Sequence, residues 1–189
     1  RAEMSHSQPP AQETALLVEV PAAEPLVARW RLRHDPAAAD GIPAHITALY
    51  PFVPPPELGD AAITRLRTLV ASMPPISFGL SSIDEFPGVL WLRPEPDEGF
   101  RALTSRLVAS FPDCLPYEGR IPDPQPHLTV ALVDAGDAQA VLKGELTSAL
   151  GSELTLECVA ESLWVFCSDG QGAWTRRDRF PFGSAPTSG

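Results

Sequence analysis

Apolar positions along this chain come in short runs, and their spacing changes from run to run. Residues 14–20 (TALLVEV) are almost wholly apolar and predict a buried strand. Residues 24–35 (EPLVARWRLRHD) predict a helix with Leu26, Trp30 and Arg33 on one side. Residues 44–52 (AHITALYPF) predict a strand, and Pro54 to Pro56 break it. Over residues 57–73, Leu58, Ala62, Leu66, Leu69 and Met73 recur at helical spacing and form one apolar face. Strands over 76–86 and 89–94 follow, joined by a Pro87-Gly88 turn. Asp97 or Glu98 opens a helix with Phe100, Leu103, Leu107 and Phe111 inward. A loop punctuated by Pro112, Pro116, Pro122, Pro124 and Pro126 leads into the strand HLTVALV, residues 127–133. A helix over 136–150 turns Ala138, Leu142, Leu146 and Ala149 inward. Residues 154–168 predict one long strand that can kink at Ala160. The last strand covers 173–182, after the turn DGQG.

Written as elements, a unit of helix, strand, helix, strand, strand occurs twice after the first strand. Such a unit leaves one sheet face uncovered, and two copies can cover each other. The expected fold is α+β: a bilobal, pseudo-twofold duplication with antiparallel sheets lining a central cleft and helices outside. One bilobal domain over 14–182 is expected, with disordered ends at 1–13 and 183–189.

The duplication gives two short motifs a common meaning. GIPAHITALYPF carries His45 and Thr47, and PQPHLTVALV carries His127 and Thr129. Each pair occupies positions i and i+2 of a strand, so its imidazole and hydroxyl share one face. The residues between and after are apolar and belong to the other face. Equivalent positions of a twofold repeat meet across its axis, so the cleft would hold two imidazoles and two hydroxyls. Imidazole titrates near neutrality, with a reference pKa of about 6.5. One histidine can then take a proton from an attacking hydroxyl or water while the other protonates the departing oxygen. Threonine hydroxyls can bind the non-bridging oxygens of a phosphate between them. This scheme needs no metal and no cofactor.

Composition narrows the partners. The formal net charge is −10, from 14 basic and 24 acidic residues among 189. Extended DNA or RNA binding, which sets Lys and Arg against a run of phosphates, is not expected. No apolar run approaches the roughly 20 residues of a membrane span, and the N-terminal segment lacks the apolar core of a secretory signal. Three cysteines without a CxxC pair suit a reducing compartment, so a cytoplasmic location is expected, as a monomer.

The two H-x-T motifs resemble the signature of the two-histidine phosphoesterase superfamily, also called the 2′-5′ RNA ligase-like or cyclic phosphodiesterase group. The resemblance covers residues 14–182, since the duplicated order of elements matches too. It implies a bilobal fold with both motifs in the cleft, His45 and His127 as the acid/base pair, and Thr47 and Thr129 as phosphate binders. It implies a metal-independent phosphodiesterase acting on 2′,3′-cyclic phosphates or 2′-5′ linkages of nucleotides or RNA ends. Relatives of the RNA-ligase-like type often carry an arginine after the second motif, where this chain reads HLTVALVDAG. With the acidic balance, this favours a small nucleotide or RNA terminus as substrate and hydrolysis over ligation. The competing class is a non-catalytic nucleotide or RNA-end binding module with the same cleft.

Other polar residues carry plainer readings. His34 suits a helix C-terminus, and His6 has no role. A metal site from His34, Asp35, Asp40 and His45 lacks a recognised ligand spacing. Arg29, Arg31 and Arg33 read as a solvated helix face, with a small anion-attracting strip beside the first motif as the alternative. Strand alternation would turn Arg177 and Arg179 away from Arg176. Trp91, Trp164 and Trp174 read as core. Tyr50 reads as a core-edge residue, with a place beside a base or phosphate as the alternative.

Overall fold

A computed structural model describes residues 11–183; His6, most of the segment 1–13 and nearly all of the tail from 183 onward lie outside the described residues. Its eight strands form two four-stranded antiparallel sheets. The first has the order β2-β1-β7-β8, from β2 (His45–Leu49), β1 (Thr14–Glu19), β7 (Ser162–Ser168) and β8 (Trp174–Pro181). The second has the order β5-β4-β3-β6, from β5 (Leu128–Leu132), β4 (Val89–Glu95), β3 (Ile76–Phe86) and β6 (Leu156–Ala160). The principal helices are α1 (Glu24–His34), α3 (Asp60–Ala71), α4 (Glu98–Ser110) and α5 (Asp137–Leu150), with a single turn, α2 (Pro36–Ala39), after α1.

Each H-x-T strand is thus the edge of its own sheet, and the two edges, β2 and β5, pack against each other. The helices lock this junction reciprocally. Helix α1 precedes β2 but packs on β5, and α4 precedes β5 but packs on β2. The Thr104 hydroxyl of α4 donates to the Ala48 carbonyl of β2 at 2.8 Å. Behind the junction lies one shared core: Ile46 and Ala48 of β2 join Leu128 and Val130 of β5 in a single apolar cluster.

Four expectations need correction. Residues 154–168 are two strands rather than one. β6 pairs with β3 through Ala160↔Ile76, while β7 pairs with β8 through Ser162↔Pro181, so the chain changes sheets at Glu161. The inward face of α5 is Gln139, Leu142, Leu146 and Leu150, one position from the expected Ala138 and Ala149 at its ends. Gln139 is buried because it serves the β3–β4 turn: its Nε2 donates to the Phe86 carbonyl at 2.7 Å, and its Oε1 accepts from the Gly88 N–H at 2.9 Å. Gly88 has φ 79°, which a glycine adopts without Cβ strain.

Helix α1 also departs from expectation. Its buried face is Val27, Trp30 and Arg31, and Arg31 is 1% exposed rather than solvated. The guanidinium bonds Asp35, one turn on, through Nε at 3.1 Å and Nη2 at 3.0 Å, and Nη2 also reaches the Ile42 carbonyl at 3.0 Å. Strand β8 departs as well. An extra residue at Arg177 interrupts the β7–β8 ladder, so that Phe166 opposes Arg176 and Trp164 opposes Arg179. Arg176 and Arg179 therefore share a face, both within 6 Å of the Trp164 ring centroid, and Arg177 bonds the Leu58 carbonyl instead.

Candidate active site

Burial alternates along both motif strands. Ile46, Ala48, Leu128 and Val130 are buried, whereas His45, Thr47, His127 and Thr129 keep partial exposure. Because the buried members lie in one core, the partly exposed members look out from the same side of the β2–β5 junction. His127 stands just before β5, and Thr129 lies within it. A narrow recess beside them is lined by Thr47 and Tyr50 from the first motif region and by His127 from the second, with Thr104, Tyr117 and Gln125; His45 and Thr129 lie outside its lining.

The two imidazoles are held alike. His45 Nδ1 lies 2.8 Å from the Pro43 carbonyl, and His127 Nδ1 lies 2.7 Å from the Gln125 carbonyl. A carbonyl only accepts, so each Nδ1 carries the hydrogen, and each Nε2 is left to take or give a proton. The acceptor is two residues upstream in both motifs. In the first it is a proline, and in the second it directly precedes Pro126. Each histidine thus follows a proline, Pro43 or Pro126, that stiffens the chain where the carbonyl turns back to the ring. Neither Thr47 nor Thr129 makes a side-chain hydrogen bond to another described residue, so both hydroxyls remain available.

The electrostatics separate the pair. His45 is lowered to about 4, chiefly by burial; the charges of Arg31 and His127 add to the shift, while the Pro43 bond and Glu19 oppose it. Glu19 stands opposite His45 in the β1–β2 ladder. Burial also lowers His127, against the bond to Gln125. His127 packs edge-on to Phe86 and Trp91, with centroids 5.3 and 5.8 Å away. The mutual repulsion of the imidazoles means that a proton on one disfavours a proton on the other.

Around the motifs, the ladders fix what else shares the face. Thr47 opposes Leu17, which opposes Trp164, which opposes Arg179. In the other sheet, Thr129 opposes Trp91, which opposes Asp84. Arg93 stacks over Trp91 and pairs with Asp84; Arg176 pairs with Glu19. Trp91 is buried as expected, with 1% exposure, but Trp164 and Trp174 are only partly buried and pack with Tyr50 at the edge of a smaller cluster. The Tyr50 hydroxyl donates to Glu13 at 3.0 Å. Asp35, one member of the conceivable metal set, is taken up by Arg31 and by the Ala37 N–H. Among the described residues, no group of three or more His, Cys, Asp or Glu is placed to hold a metal ion.

The sequence model of the 2′-5′ RNA ligase superfamily matches residues 18–171, a span that includes both motifs, the whole second sheet, and β2 and β7 of the first. The chain belongs to this superfamily. Among solved structures, it is similar to LigT of E. coli complexed with 3′-AMP, at 18% identity and a TM-score of 0.56, over 94% of this chain and 100% of that one. LigT complexed with NADP+ gives 16% identity and a TM-score of 0.55, over 93% of this chain and 99% of that one. TT0787 of Thermus thermophilus gives 20% and 0.57, over 91% and 98%. At these identities the likeness establishes a shared fold. A comparison with curated proteins by sequence returns no match.

Sequence reasoning missed Glu19 and Tyr117, and it named Arg31 without foreseeing its burial. Arg31 and Asp35 stand at i and i+4, a spacing that invites an ion pair on a helix. Nothing in the sequence ties the loop holding Tyr117 to the first motif.

Proposed function

We propose that this member of the 2′-5′ RNA ligase superfamily is a metal-independent phosphodiesterase acting on 2′,3′-cyclic phosphate or 2′-5′ bonds of nucleotides or RNA ends. The observation that carries the reading is the matched pair of imidazoles, each with its Nδ1–H donated to the carbonyl two residues upstream and Nε2 left for chemistry. Thr47 and Thr129 hold the non-bridging oxygens. His45 is the base in hydrolysis. Buried, and near the Arg31 charge, it stays neutral at physiological pH and accepts the proton of the attacking water. His127 is the acid. The anionic phosphate beside it favours the imidazolium and offsets the cost of burial, and this proton goes to the departing ribose oxygen.

The superfamily's association with phosphoesterases and the binding of 3′-AMP, NADP+ and ATP by LigT support a small nucleotide or RNA terminus as substrate. Three free cysteines suit a reducing cytoplasm, where the protein would act as a monomer. Among the described residues, no helix is long and apolar enough to cross a membrane. The test is a panel of nucleoside 2′,3′-cyclic phosphates and 2′-5′ dinucleotides assayed with EDTA present. Turnover of at least one class is expected. Silence across the panel, or turnover that EDTA abolishes, overturns the reading.

A further inference from the structure

The segment between α4 and His127 makes an unusual turn. After Pro116 the chain enters the left-handed region and stays there, at Tyr117 (φ 49°, ψ 40°), Glu118 (φ 57°, ψ 29°) and Gly119 (φ 77°). An L side chain in that region crowds the following carbonyl, and residues other than glycine visit it singly rather than in succession. The turn is tied down at a telling point. The Tyr117 N–H donates at 2.7 Å to the carbonyl of Tyr50, which directly follows β2. The Arg120 N–H closes the turn on the Tyr117 carbonyl at 3.1 Å. One segment thereby joins the end of the first motif strand to the approach of the second.

The product of this geometry is the placement of Tyr117. It lines the recess shared by Thr47, Thr104 and His127. Its phenol makes no hydrogen bond to another described residue, and burial raises its pKa, so the O–H remains a donor. Costly backbone conformations persist where the surrounding structure holds them, and they cluster where they aim a functional group. Each of the two non-bridging oxygens of a phosphodiester can accept more than one hydrogen bond, so one threonine hydroxyl apiece does not exhaust them, and the gathering negative charge of a phosphorane rewards another neutral donor.

We propose that Tyr117 is a substrate-contacting residue whose phenol O–H donates to a non-bridging oxygen of the phosphate between His45 and His127. This rests on the phosphodiesterase reading above, and the experiment separates the two. Wild type and Tyr117→Phe are compared on a nucleoside 2′,3′-cyclic phosphate, in thermal unfolding, and in the binding of inorganic phosphate by calorimetry. Losing a hydrogen bond to a charged group lowers kcat/KM by about 10- to 100-fold and weakens phosphate binding, with Tm unchanged. Glu118→Gly, which relaxes the same turn without touching the phenol, keeps kcat/KM. Equal kcat/KM for Tyr117→Phe in an active enzyme overturns the assignment and leaves the two-histidine reading standing. A loss of activity that tracks a fall in Tm, with phosphate binding intact, also overturns it. If wild type turns over no substrate, the phosphodiesterase reading fails, and equal phosphate affinity in the two proteins then overturns the Tyr117 contact as well.

Discussion

Replacing His45 by glutamine should flatten part of the acid limb of the protein's stability curve. Unfolded, an imidazole titrates near 6.5; folded, His45 is pushed down to about 4. The folded state therefore binds fewer protons than the unfolded state between these values. For a lowered histidine the sign is definite: its contribution is fully present above pH 6.5 and is lost as pH falls toward 4. One pKa unit corresponds to about 1.4 kcal/mol, so the loss reaches roughly 3 kcal/mol by pH 4 and about 2 kcal/mol at pH 5. Glutamine keeps much of the size and polarity but cannot titrate. Urea unfolding of both proteins at pH 8, 6, 5 and 4.5 isolates the term, since carboxylates and His127 titrate in both. The difference in unfolding free energy, wild type minus His45→Gln, should fall by about 2 kcal/mol between pH 8 and pH 5. Parallel curves would show that His45 is not held neutral by burial, and the assignment of His45 as the resting base would lose its physical ground.

Two further outcomes follow from the same geometry. Asp35→Ala leaves the Arg31 guanidinium buried with only the Ile42 carbonyl as partner, and should cost about 3–5 kcal/mol in denaturant unfolding. Glu118→Gly removes a Cβ from a left-handed position and should raise stability by roughly 0.5–1 kcal/mol. Its exposed ion pair with Arg120 contributes little against that gain.

Much of the fold was legible because local rules and tertiary structure agree. Residues 76–86 form the β3 expected of them, and Phe100, Leu103 and Leu107 face inward on α4 as their spacing predicts. The H-x-T pairs were legible because period-2 alternation fixes faces whatever the rest of the chain does. What failed had nonlocal causes. Nothing in the hydropathy of residues 154–168 marks the change of sheet at Glu161, since both sheets bury apolar residues equally well. Alternation misplaced Arg179 because a single extra residue at Arg177 reverses the face of everything after it. Arg31 looked solvated because charge suggests exposure, yet its partner at Asp35 lets the face of Val27 and Trp30 carry it inside. Tyr117 was invisible for another reason. Its role depends on where a proline-rich loop lands, and that landing is one backbone bond to Tyr50.

The central claim is that His45 and His127 form one acid/base machine. The most direct measurement is kcat for a nucleoside 2′,3′-cyclic phosphate in wild type, His45→Ala, His127→Ala and the double variant, with EDTA present. Each single variant should lose about 10²–10⁴-fold. The double variant should lose little more than the worse single one, because groups acting as a unit are strongly non-additive. Single variants that retain wild-type kcat, or losses that multiply independently in the double variant, would contradict the account.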